Sequence, residues 1–176
     1  MIQTVKLVTF LAIITIAAGC QTMKPIHTVE KVDLERFMGD WYVIASIPTF
    51  IEKDAYNATE SYRLDNDGTV ATTFKFNKGS YDGPVKEYNP RGYVRDTQSN
   101  AVWGMQFVWP FKAEYRIIFL SDDYTQTVIG RTKRDYVWIM ARESSIPVDD
   151  YERILEFIRD QGYDLDKLKQ VPHRAG

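Results

Sequence analysis

The stretch `RFMGDWYVIASIPTF`, Arg36 to Phe50, carries the chain from a glycine straight into an adjacent Trp41-Tyr42 pair. An alternating apolar run follows and stops at Pro48. Alternation of this kind marks a half-buried β-strand, here entered from Gly39 with its largest side chain placed first.

The pattern repeats beyond it. From Trp41 to Arg142, turn chemistry recurs every ten residues or so: Pro48, `DNDG` at 65–68, `KGSYDG` at 78–83, `DTQSN` at 96–100, `WPFK` at 109–112, `SDD` at 121–123 and `TKRD` at 132–135. Eight apolar-alternating runs lie between these signals, which predicts an antiparallel barrel or sandwich. One helix follows over about 148–161, with Val148, Tyr151, Ile154, Leu155 and Ile158 on a single face at helical spacing. Acidic residues open this helix, where its dipole favours anions, and Gly162 can end it. Residues 168–171 could add a last short strand. There is no dinucleotide-binding or P-loop glycine pattern and no internal repeat.

The segment ahead of the domain has a different composition. `MIQTVKLVTFLAIITIAAGCQT` holds a single charge, Lys6, and an uncharged run from Leu7 to Ala18 that is apolar apart from Thr9 and Thr15. The run falls short of the roughly 20 apolar residues that a membrane helix needs, so it reads as an export signal that is removed. It ends in the small residues Ala17, Ala18 and Gly19, directly before Cys20, the only cysteine of the chain. This resembles the lipobox of bacterial lipoprotein signal peptides. The resemblance implies removal of residues 1–19 and acylation of Cys20 (diacylglycerol on sulfur, palmitate on nitrogen). An ordinary secretory signal with an incidental cysteine is the alternative. Two or more acyl chains hold a protein stably on a membrane. Gln21, in place of an inner-membrane retention aspartate, implies lipid anchoring at the outer membrane of a Gram-negative cell.

Removing 19 of 176 residues leaves 157, one domain's worth. With one cysteine no internal disulfide forms, so the fold rests on its core. A net charge of −2 offers no basic stripe for nucleic acid. Aromatic residues make up 14% of the chain, which suits β-structure and a ligand-lined interior.

Three motifs, in order and at matching spacing, resemble those of the lipocalin family. They are Gly39-Asp40-Trp41-Tyr42 after the turn `DLERFM`; Ser121-Asp122-Asp123-Tyr124 after the sixth run; and Arg142, which ends the eighth run, `YVWIMAR`. With the lipobox, the resemblance is to bacterial outer-membrane lipoprotein lipocalins. It implies an all-β, eight-stranded up-and-down barrel with one helix packed outside. The parts would be an acylated linker at 20–32, the lipocalin domain at 33–172 and a tail at 173–176. Gly39, Trp41, Tyr42, Asp123, Tyr124 and Arg142 would be structural, with Trp41 and Arg142 stacked inward at the closed end.

Counting parity from Trp41 and Arg142 gives the inward faces, because residues alternate in a barrel. The expected lining is Phe74 and Phe76 on the third strand and Trp103 and Met105 on the fifth. The sixth contributes Tyr115, Ile117 and Phe119, and the eighth Tyr136, Trp138 and Met140. The second strand brings Glu60 inward together with Tyr62. An inward carboxylate is costly unless solvated or paired. Glu60 therefore meets a polar or cationic ligand head, or stays wet near the mouth, or the register is shifted by one. The mouth loops carry Phe50, Ile51, Tyr81, Trp109 and Phe111, together with Arg131, Lys133 and Arg134, which either attract a phosphate head or are solvated surface.

Catalytic sets are absent from the pattern. His27 and His173 lie at opposite ends of the domain, so no metal cluster and no Ser/His/Asp set is expected. No cofactor is expected either. The expected function is binding of a fatty acid, lysophospholipid or similar amphiphile, for storage or transport in an envelope under stress. An envelope enzyme or cofactor-binding protein using the same cavity, or a structural lipoprotein with an aromatic core, are the alternatives. By resemblance alone, a homodimer is compatible with this reading.

Overall fold

The computed structural model describes residues 26–174; Cys20 and the apolar leader lie outside them. Ten strands form one antiparallel sheet: β1 (Gly39–Ile47), β2 (Ala55–Leu64), β3 (Thr69–Lys78), β4 (Val85–Tyr88), β5 (Arg91–Val94), β6 (Val102–Val108), β7 (Phe111–Leu120), β8 (Gln126–Gly130), β9 (Val137–Ala141) and β10 (Lys169–Gln170). The strands pair in the order β10-β1-β2-β3-β5-β6-β7-β8-β9, with β4 also on β3, and β1 pairs with β9 to close the barrel. β4 and β5 both pair with β3 and form one barrel strand broken at Asn89-Pro90, since proline cannot donate to the ladder. The barrel thus has eight strands, and β10 adds only an edge to β1.

The closed end is plugged by α1 (Leu34–Phe37), one helical turn capped by the Asp33 carboxylate. Phe37 is buried inside the barrel, its ring 5.1 Å from that of Trp41 and 5.6 Å from those of Tyr62 and Trp103. Gly39 adopts φ +92°, which a side chain would strain, and an added Cβ would lie 3.3 Å from Arg142. This is why a glycine stands between the plug and Trp41.

Helix α2 (Val148–Asp160) packs outside. Ile154 and Ile158 are buried against Ile118, Val128, Val137 and Ile139, in a second core separate from the barrel interior. Val148, expected on the packed face, is instead 70% exposed; it is the first residue of the helix, directly after the N-cap Pro147, and the packed face begins further along. Gly162, with φ +92°, ends it.

Two bulges correct the parity expectation. On β7 the pairing slips between Ile117 and Phe119, so Ile117 faces the interior while Ile118 and Phe119 both face α2. The Phe119 ring packs 5.6 Å from Phe157 of the helix, so Phe119 is not a cavity residue. On β1 the slip between Val43 and Ala45 likewise turns Ala45 and Ile47 outward to the helix core. Each bulge places two successive apolar side chains on one face, which suits the outer helix interface.

Packing extends past both expected domain edges. Ile26 and Val32 are buried, the His173 ring bonds the Val43 carbonyl at 2.8 Å, and Arg174 pairs with Asp82 at 2.8 Å.

Candidate functional site

The barrel interior is filled in its lower half and hollow above. Below, Tyr62, Trp103, Ile117 and Met140 are buried with Phe37 and Trp41 in one continuous core. These four point inward, as expected, but form the floor and its foundations rather than the cavity wall. Phe76 is also buried, above Phe74 on β3, its ring 5.2 Å from that of Phe74 and 6.4 Å from that of Tyr88, and does not line the cavity. Trp103 and Tyr115 stack with ring planes 12° apart, and Trp103 donates to the Asn100 carbonyl at 2.7 Å.

Above this floor lies a cavity of about 290 Å³. Of the expected lining, Glu60, Phe74, Met105, Tyr115, Tyr136 and Trp138 reach it. The rim carries Phe50 and Ile51 from the β1–β2 loop, Phe107 and Val108 from the end of β6, and Arg131 after β8. Phe50 is 88% exposed, Trp109 82% and Phe111 76%, so the open end presents aromatic side chains to solvent.

Polar groups are few and specific. Glu60 lies on the cavity floor, and its carboxylate accepts a hydrogen bond from Tyr62, whose hydroxyl is 2.7 Å from that of Tyr115. Burial lifts the Glu60 pKa to about 7; the Tyr62 hydrogen bond opposes this and the nearby Glu52 charge adds to it. Burial likewise holds Tyr62 and Tyr115 well above the usual tyrosine range, so both remain protonated donors. Of the three readings open for Glu60, the register shift is removed: Trp41 pairs with Glu60, and Glu60 with Phe74, in one inward layer.

The sequence reading missed Glu52. It is buried in the β1–β2 loop, where its two oxygens accept from Thr49 at 2.7 Å and from the Trp138 indole at 2.7 Å. Burial raises its pKa. An acid directly after the apolar pair Phe50-Ile51 was the available signal. The loop is thereby fastened to β9 beside the cavity. Glu114, at the rim, is held by Arg116 and Thr132, and those bonds keep its pKa below the usual carboxylate value despite partial burial.

The expected basic group is divided. Arg131 lies over the Tyr136 ring, 5.1 Å from its centre, and 3.5 Å from Asp135. Arg134 turns away to the end of α2 and donates to the Gln161 carbonyl at 3.1 Å. Lys133 is exposed. Among the described residues, no three His, Cys, Asp or Glu side chains converge as a metal site would require.

The motif residues meet at the closed end. Arg142 lies over Trp41, 3.8 Å from the ring centre, and bonds carbonyls of the plug. Asp123 accepts from Ser121, from the Thr125 amide and from the Thr125 hydroxyl, fixing its turn. Tyr124 accepts from the Asp33 amide at 2.9 Å and lies beneath Arg36 at 3.9 Å.

Comparison with known proteins agrees with this architecture. Residues 32–173 match the family model of the lipocalin-like domain. Temperature-induced lipocalin-1 of Arabidopsis thaliana is 27% identical over 161 residues, covering 85% of this chain and 83% of its own. The outer membrane lipoprotein Blc of Escherichia coli K12 is 26% identical over 158 residues, covering 87% and 88%. Among solved structures, insecticyanin from the tobacco hornworm Manduca sexta superposes with a TM-score of 0.67 at 13% identity, covering 85% of each chain. The cockroach allergen Per a 4 gives 0.64 at 18% identity, covering 85% of this chain and 94% of its own. Family match, closed eight-stranded barrel and external helix lead to one conclusion: the chain belongs to the lipocalin family and is a lipocalin of the bacterial Blc type.

Proposed function

We propose that this lipocalin is anchored by acylated Cys20 at the outer membrane of a Gram-negative cell. There it holds a fatty acid, lysophospholipid or similar single-chain amphiphile for storage or transport in the envelope. The observation that carries this reading is the half-filled barrel: a cavity of about 290 Å³ with apolar walls, an aromatic floor and a mouth rimmed by exposed Phe50, Phe107 and Val108. Ligand pockets run from roughly 300 to 1,000 Å³, so this one suits a single chain rather than a two-chain lipid. Burying ten methylenes releases about 8 kcal/mol before ordering costs, on the order of micromolar binding.

The address is supported by the Leu7–Ala18 run before Cys20 and by relatives named as outer membrane lipoproteins. Native mass spectrometry of the gently purified protein tests the ligand; a bound single-chain lipid at one per barrel is expected, and a haem or flavin adduct would replace this reading with the cofactor alternative. Cys20→Ser should move the protein from the membrane to the soluble fraction, and retention on the membrane would remove the anchor.

A further inference from the structure

Glu60 differs from the other carboxylates around the cavity in having an oxygen left over. Its Oε2 accepts from Tyr62. Because the Tyr62 proton is used in that bond, Tyr115 is the donor in the 2.7 Å hydroxyl pair. Both hydroxyl dipoles therefore point toward Glu60. Oε1 has no hydrogen-bond partner among the described residues. Nor is it sealed in: among the described residues, the fully enclosed and unpartnered side-chain polar atom is Arg131 Nε. Glu60 Oε1 thus opens on the cavity that Glu60 lines.

Its surroundings offer nothing to complete it. Glu52, the nearest acid, has both oxygens engaged by Thr49 and Trp138. The ion pairs among the described residues include neither acid, and Arg131, at the rim, is turned to Asp135 and Tyr136. The titratable and charged groups facing this space are Glu52 from the β1–β2 loop, Tyr62 beside Glu60 on β2, and Glu114 and Tyr115 on β7. Arg131 and Tyr136 face it from the segment between β8 and β9.

A buried acceptor without a donor costs free energy, and a second anion placed beside it costs more. A methyl end reaching the floor would leave Oε1 dry. A carboxylate end would meet Glu60 with Glu52 behind it. An ammonium or hydroxyl end would complete the hydrogen bonding and leave its alkyl chain among Phe74, Met105 and Phe107. We propose that the cavity takes its ligand with a hydrogen-bond-donating end on Glu60 Oε1, and so selects long-chain amines and other donor-ended amphiphiles over fatty-acid carboxylates. The proposal rests on the amphiphile reading above and narrows it to a ligand class and an orientation.

The selection has a pH signature. Glu60 holds its proton up to about pH 7, and an ammonium binds its ionised form better. Amine binding therefore expels a proton below pH 7 and tightens as pH rises toward it. A carboxylate ligand has the opposite dependence.

The test is calorimetric titration of the purified protein with dodecylamine, dodecanol and dodecanoate at pH 6 and pH 8, repeated with Glu60→Gln. The amine should bind at least about tenfold more tightly than dodecanoate at pH 8, and more tightly at pH 8 than at pH 6. Glu60→Gln should weaken the amine by about tenfold or more while leaving dodecanol within a few-fold, and the retained dodecanol binding shows that the variant is folded. Equal affinity for all three, or an amine preference that survives Glu60→Gln, overturns the donor-end assignment while leaving the amphiphile reading in place. Binding of none of them by the wild-type protein overturns both.

Discussion

The Arg142 guanidinium sits 3.8 Å from the centre of the Trp41 ring and is enclosed by backbone carbonyls. Its Nη1 donates to Asp40 at 2.7 Å; its Nη2 faces Met38 at 2.8 Å, Arg36 at 2.9 Å and Phe37 at 3.1 Å. The last strand of the barrel is thereby joined to the plug that precedes the first. The planar, forked donor set is what fits this arrangement, and an ammonium cannot reproduce it. Arg142→Lys should lower stability by about 2–3 kcal/mol in urea unfolding while leaving amphiphile affinity within twofold, since the cavity lies at the other end. A loss below about 0.5 kcal/mol would mean that the clasp is not a stabilising feature.

Glu60 makes stability depend on pH. In the unfolded chain it ionises near 4.5, whereas in the folded protein it keeps its proton to about 7. Between those values the folded state binds more protons, so its stability falls as pH rises from about 4.5 to about 7 and levels off above. At about 1.4 kcal/mol per pH unit, the decline between those pH values is about 3 kcal/mol. Glu60→Gln should flatten most of this slope and raise the melting temperature at pH 8 but not at pH 4. Parallel pH profiles for the two proteins would show that Glu60 is ordinary. Glu52, also raised by burial, contributes in the same direction and remains in the variant.

The Trp138 indole holds the β1–β2 loop through Glu52 at 2.7 Å. Trp138→Phe keeps most of the ring but removes the donor, leaving one buried carboxylate oxygen unpaired at about 1–3 kcal/mol. Amide exchange over residues 50–54 should accelerate, and amphiphile affinity should fall because the loop forms one side of the mouth. Unchanged exchange in that loop would count against the fastening role of Glu52.

The β7 bulge can be tested by contrast. Phe119→Ala should destabilise the protein by about 3 kcal/mol through the helix interface, with amphiphile binding within twofold. Phe74→Ala, on the cavity wall, should weaken binding several-fold. The reverse pattern would return Phe119 to the interior.

Most of the architecture was legible in the sequence because it follows from period-2 alternation, turn residues at regular spacing and one helical stripe. Strand faces were read correctly where the ladder is regular, as at Phe74 and Phe76. They failed where a bulge resets the count, at Phe119, because parity carried along a strand has no local marker for an inserted residue. The depth of the filled lower half was also hidden. Tyr62, Trp103 and Met140 point inward just as Phe74 does, and only packing against Phe37 distinguishes floor from wall. Glu60 could be found by parity. Glu52 could not, since a loop carboxylate shows its burial only through partners as distant in sequence as Trp138.

The most direct test of ligand binding in the half-filled barrel is photocrosslinking with a single-chain amphiphile carrying a diazirine along its alkyl chain, followed by peptide mapping. The adducts are expected at one per protein, on Phe74, Met105, Phe107, Tyr115, Tyr136 or Trp138. Adducts confined to the outer helix interface at Phe119 and Phe157, or none above a denatured control, would contradict it.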